Sequence, residues 1–247
     1  MFRADPGLLP AADAGEVAGL ALPAGRYVRV GAGEGAAVAW ISVHPLSADE
    51  LNDVIPRLAA LFPETGLWPL QASGLDRGSL DVPWVSGVMD GPVAEIPDAL
   101  AVLTRRRPAG SGVAPVGALT PPVPGPDVPV EEPLAVDAAG LMLVPVSRPA
   151  DVPAVLGWRG AVNYGYSGAD HTAVLRSWED RFGAVLLSIG FDTMRVWVAR
   201  RPESAAQIEG VLREHFAYCP DNIDYPIDAQ IYRSRLARQA YWSFWWD

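Results

Sequence analysis

Apolar and polar positions along the 247 residues form two patterned blocks separated by a proline-rich stretch. In the first block, strands are expected over 27–30 and 37–43. In the latter, Val38, Trp40 and Ser42 alternate with Ala39, Ile41 and Val43. Leu51, Val54, Ile55, Leu58 and Leu61 then repeat at helical spacing behind Ser47 as N-cap, with Glu50 completing a capping box. Pro56 interrupts that pattern and predicts a kink or a late start. Residues 65–70 read as a short buried strand, which Pro69 places at an edge or an end. A second helix is expected over 96–107, opened by Pro97.

The later block begins with a strand over 141–146. Asp170 is expected to cap a helix whose face is His171, Leu175, Trp178 and Phe182, ended by Gly183. Strands follow over 184–189 and 193–199, joined by Gly190-Phe191-Asp192. Pro202 and Glu203 open a further helix with Ile208, Val211, Leu212, His215, Phe216 and Cys219 on one side. A last helix over 229–238 and an aromatic strand over 241–246 close the chain. The order strand, helix, strand, strand, helix, strand matches a ferredoxin-like split βαβ sandwich.

Between the blocks lie eight prolines, at 108, 115, 121, 122, 124, 126, 129 and 133. Proline lacks the amide donor and fixes φ, so this segment predicts a semi-extended connector. The expected fold is therefore α+β: a mixed α/β lobe over 1–107, a Pro-rich linker over 108–137 and a ferredoxin-like domain over 138–247. Gly31-Ala32-Gly33-Glu34-Gly35 lacks the Lys-Ser/Thr of a phosphate loop and leads into a strand, so a hairpin turn is expected there.

Three segments of the later block are similar to an uncharacterised bacterial family, domain-of-unknown-function family 4253. They are Leu175-Arg176-Ser177-Trp178-Glu179-Asp180-Arg181-Phe182-Gly183-Ala184, Glu214-His215-Phe216-Ala217-Tyr218-Cys219-Pro220-Asp221-Asn222 and Trp242-Ser243-Phe244-Trp245-Trp246-Asp247. Thr65-Gly66-Leu67-Trp68-Pro69-Leu70 resembles longer members. The resemblance implies no catalytic residues and no substrate.

Charge narrows the function classes. The chain carries 29 acidic against 19 basic residues, all of the latter arginine, for a formal charge of −10. Nucleic acid and anionic membranes are excluded as expected partners on that balance. No apolar run approaches the ~20 residues of a spanning helix, and residues 1–25 carry Asp5, Asp13 and Glu16 where a signal peptide would be apolar. A lone cysteine, Cys219, forms no internal disulfide, and a cytoplasmic location is expected.

His215 and Cys219, four apart, form the sharpest candidate cluster, with His171 and Asp221 as further zinc ligands. Both also lie on an apolar stripe, where a thiol packs as a hydrophobe, so no metal and no cofactor is expected. As a nucleophile Cys219 sits at the wrong end of its helix, because the dipole there disfavours a thiolate. Glu179 and Asp180 point about 100° apart, and a surface pair of Arg176 with Asp180 is the expected arrangement.

Nine tryptophans give the strongest signal. Trp178 and Trp197 are expected as structural aromatics. So are Trp242, Trp245 and Trp246, in a terminal strand expected to be covered on both faces by helices or by a partner. The function expected is a non-catalytic binding or interaction protein with a protein partner, of regulatory or immunity type. A hydrolase or zinc-binding enzyme using His171, His215 and Cys219 is the alternative, so whether the chain is an enzyme stays open, as does its oligomeric state.

Overall fold

Strands from both sides of the proline-rich stretch interleave in one sheet. The computed structural model describes residues 2–12, 15–30, 35–74, 92–105, 112–126, 135, 137–224 and 226–247. The glycines at 31 and 33, Arg106, Arg107, Pro108, Pro129 and Pro133 lie outside the described residues. A two-stranded ribbon pairs β1 (Glu16–Val17) with β2 (Leu20–Ala21). The main sheet is built from β3 (Gly25–Arg29), β4 (Ala37–Ser42), β5 (Leu67–Ala72), β6 (Gly140–Pro145), β7 (Ala184–Ile189), β8 (Thr193–Val198) and β9 (Tyr241–Trp245). Its order is β3-β4-β6-β5-β7-β8-β9, antiparallel throughout except for the parallel pair β5–β7.

This mixed α+β sheet replaces the expected pair of lobes. β6, from the later block, lies between β4 and β5, and β5 in turn separates β6 from β7. The later strands therefore do not close a ferredoxin-like sandwich on their own. The physical reason lies in β5, which is buried along its whole length. Such a strand needs ladder partners on both sides, and a self-contained later domain would leave it one short.

Pro69 sits inside this central strand rather than at an edge. It lies opposite Leu143 of β6, while pairing with β7 is confined to Gln71 and Ala72, beyond the proline. Where Pro69 offers no amide, the indole of Trp68 donates to the carbonyl of Leu186 in β7 at 2.8 Å. A side chain thus bridges the gap in the ladder.

Six helices flank the sheet among the described residues: α1 (Ala48–Thr65), α2 (Ala99–Thr104), α3 (Val152–Leu156), α4 (Gly168–Phe182), α5 (Ala205–Tyr218) and α6 (Ala229–Arg238). α1 starts behind Ser47 with the expected capping box and continues past Pro56 to Thr65, so no late start occurs. α4 starts earlier than expected. Ser167 is its N-cap, and Asp170 is the third residue of the box. α1 packs on β5 and α4 on β7, while α5 pairs with α6. Among the described residues no helix is long and apolar enough to cross a membrane.

The described part of the connector, 112–126, contains no helix or strand. It is nevertheless clamped against the helices. The amide of Thr120 donates to Oε1 of Glu214 at 2.6 Å, and its carbonyl accepts from Arg181 at 2.9 Å. Gly210 of α5 permits this crossing, because a Cβ there would lie 2.4 Å from Thr120 Oγ1.

β9 is the last strand of the sheet order, and its two faces differ in burial. Trp242, Phe244 and the following Trp246 are buried against α4 and α5, whereas Trp245 is 46% exposed and Tyr241 41%. Trp178 and Trp197 are buried as expected. Within the chain the helices cover the inner face of the terminal strand, and among the described residues nothing packs over Tyr241 and Trp245 to the same extent.

Candidate functional site

α4 and α5 present their inner faces to the indoles of β9, and the two candidate histidines lie in that layer. His171, on α4, is fully buried among Trp158, Tyr166, Tyr218 and Trp246. Its Nδ1 is hydrogen-bonded to Tyr218 Oη at 2.5 Å, and its Nε2 has no partner. His215, on α5, is equally buried between Trp178, Trp242, Phe244 and Tyr232. Its Nδ1 meets Tyr232 Oη at 2.9 Å, and its Nε2 is also unpartnered. Burial pushes both imidazoles down to about 3, so each is neutral at pH 7. Tyr218 and Trp178 join the two cages.

Cys219 falls just past α5, as its C-cap rather than on its face. Its thiol donates to the carbonyl of Trp245 at 2.9 Å, and burial pushes it up to about 12. Asp221 points elsewhere: it accepts from the Tyr164 hydroxyl at 2.5 Å and from the amide of Asp247 at 3.0 Å. The four candidate ligands are thus committed to separate partners. Among the described residues no group of three or more His, Cys, Asp or Glu is placed to hold a metal ion.

The acidic pair of α4 is structural in a different way from that expected. Arg176 pairs with Asp151 at 2.6 Å, while Arg148 bridges Glu179 at 2.7 Å and Asp180 at 2.6 Å. Arg3 also reaches Glu179, which ties the N-terminal segment to α4. Desolvation raises the Glu179 carboxyl pKa despite these cations.

A site the sequence does not announce lies on the opposite face of β7–β9. Register sets Gln71 beside Ser188, Ser188 beside Arg195, and Arg195 beside Ser243. Residues directly paired across strands share a face, so four polar side chains form one row across β5, β7, β8 and β9. A bulge in β7 between Leu186 and Ser188 supplies the half-step that turns Ser188 into the row. The row lines a groove of about 430 Å³ at the end of the parallel pair β5–β7, with Asp137 and Asp192 also in its wall. Trp245 stands in that wall with its indole N–H held by Asp192 Oδ2 at 3.1 Å. The Arg195 guanidinium stacks over Tyr241, 5.3 Å from the ring centroid. Asn222 fixes the neighbouring edge, donating to the Ser243 carbonyl and accepting from the Trp245 amide at 3.0 Å. The only sequence signals were isolated polar residues in apolar strands, and strand neighbours cannot be read from those.

The α4–α5 layer and the three-stranded meander β7–β9 come from the later part of the chain, which also inserts β6 between β4 and β5 of the same sheet. Residues 140–247 match the family described as Domain of unknown function (DUF4253). No curated protein and no solved structure matches the chain.

Proposed function

We propose that the protein is a non-catalytic binding protein of the cytoplasm that receives a protein partner along the groove over β5, β7, β8 and β9. One observation carries this reading: the Gln71–Ser188–Arg195–Ser243 row lines an open groove beside a Trp245 ring that is 46% exposed. Half-exposed aromatics fixed by a polar neighbour present large contact area at small entropic cost. Asp137 and Asp192 in the wall, together with the formal charge of −10, favour a partner with a basic segment. A regulatory or immunity-type role against such a partner fits this chemistry. The alternative, a hydrolase or zinc enzyme using His171, His215 and Cys219, needs those groups to face a solvent-filled cavity. Complete burial of both imidazoles supports the binding reading instead.

The test compares the full chain with Trp245→Ser and Asp192→Asn in quantitative affinity purification, followed by titration of the purified partner. The expected result is one stoichiometric partner whose affinity drops at least about tenfold in each variant, with Tm lowered by no more than about 4 °C. Equal binding by all three proteins would remove the groove from the function.

A further inference from the structure

A second cavity, of about 410 Å³, opens between α6 and β9. Asn222, Tyr232, Arg235, Gln239, Trp242 and Ser243 contribute polar groups to its wall, and no described carboxylate lines it. In a chain of formal charge −10 that lining is unusual. Arg235 is exposed and makes no ion pair among the described residues, whereas Arg233, two positions earlier, pairs with Glu209 at 2.9 Å. The helix dipole favours a cation in the last turn of α6 and accounts for Arg235 and Arg238 alike. It does not account for a cavity in which the one charged residue among the described lining is an arginine.

An independent observation comes from Trp242. It is 3% exposed, and its indole N–H has no acceptor. A buried donor without an acceptor is destabilising and is commonly satisfied by a bound group. Leu236 and Tyr241 supply an apolar side to the same cavity. We propose that this cavity is a binding site for a small organic oxyanion, a carboxylate or phosphate monoester on an apolar body. The oxyanion sits at Arg235, assisted by Gln239 and Trp242, and the body packs on Leu236 and Tyr241. This site adjoins the groove, with Asn222 and Ser243 in both walls, but Arg235, Gln239 and Trp242 line it alone, and neither Trp245 nor Asp192 belongs to its wall.

The experiment titrates the full chain, labelled with ¹⁵N at tryptophan, with phenyl phosphate, benzoate and inorganic phosphate up to about 10 mM. Expected is a saturable shift of the Trp242 indole resonance with phenyl phosphate or benzoate; which of them binds tighter assigns phosphate or carboxylate as the headgroup. Arg235→Gln is expected to weaken binding about tenfold or more, and Arg238→Gln to leave it unchanged. Three results would overturn the proposal. One is no saturable shift with any probe, another is equal affinity in Arg235→Gln, and the third is inorganic phosphate binding as tightly as phenyl phosphate.

Discussion

The indole N–H of Trp178 donates to Oε2 of Glu214 at 2.8 Å, inside the contact between α4 and α5. The same carboxylate accepts two bonds from Arg181, at 2.9 and 2.8 Å, and one from the amide of Thr120. Glu214 is fully buried, and among the described residues these four donors surround its carboxylate. Removing one partner of such a pair leaves an uncompensated buried charge, at about 3–5 kcal/mol. Glu214→Ala is expected to lose about that much stability in urea unfolding. Glu214→Leu combined with Arg181→Met is expected to recover most of it, because the pair is then absent from both partners. A double variant as unstable as Glu214→Ala would show that the network, not the stranded cation, sets the cost.

Acid stability follows from the two imidazoles. Their folded pKa of about 3 lies below the ordinary 6.5, so the unfolded chain takes up protons first as pH falls. The associated stability is complete above pH 6.5 and drains away as pH descends toward 3. Each histidine is expected to remove about 3 kcal/mol between pH 7 and pH 4. Urea midpoints across that interval test this, and His215→Phe is expected to flatten the slope by roughly one histidine. An unchanged slope would mean that carboxylates dominate.

Local chemistry was legible in the sequence, and neighbourhood was not. The Ser47–Glu50 box, the β7 limits at Ala184 and Ile189, and the α6 limits at Ala229 and Arg238 follow from periodicity and caps within one segment. The alternation that buries Trp242, Phe244 and Trp246 was equally readable. What failed depended on partners distant in the chain. Pro69 reads as an edge residue until Trp68 is seen to reach Leu186, 118 positions away. Arg176 reads as the partner of Asp180 until Asp151 is brought beside it. The polar row is the extreme case, since Gln71, Ser188, Arg195 and Ser243 are related only by register.

Thr120 gives a prediction of opposite sign to its burial. Its hydroxyl is buried without a hydrogen-bond partner, and it blocks a Cβ at Gly210. Thr120→Ala is therefore expected to be neutral or stabilising although the residue is 4% exposed. Gly210→Ala alone is expected to destabilise, against the gain of about 1 kcal/mol that the exchange brings an unobstructed helix. In the Thr120→Ala background only the Cβ of residue 120 stays close, at 3.2 Å, so part of that gain is expected to return. A thermodynamic cycle over the four proteins measures the coupling, and strict additivity would disprove the contact.

Cys219 is expected to be unreactive while the chain is folded, because its thiol is buried, bonded to Trp245 and pushed up to about 12. Iodoacetamide at pH 7.5 should label it only after urea unfolding. Fast stoichiometric labelling of the native protein would restore it as a nucleophile.

The two faces of β9 separate folding from binding. Trp242 touches Trp178, Phe182 and His215, and its truncation to Ala empties a filled core at a cost of about 3–5 kcal/mol. Trp245 instead loses only its bond to Asp192 and a half-solvated surface, so Trp245→Ser is expected to cost less than about 1 kcal/mol. Deleting 242–247 removes Trp242, Phe244 and Trp246 together and strips the carbonyl that holds Cys219, so the truncated chain is expected to be insoluble. Differential melting of the two single variants checks the contrast. If Trp245→Ser proved as damaging as Trp242→Ala, the outer face would be part of the core. The groove could then not be probed by mutation without unfolding the protein.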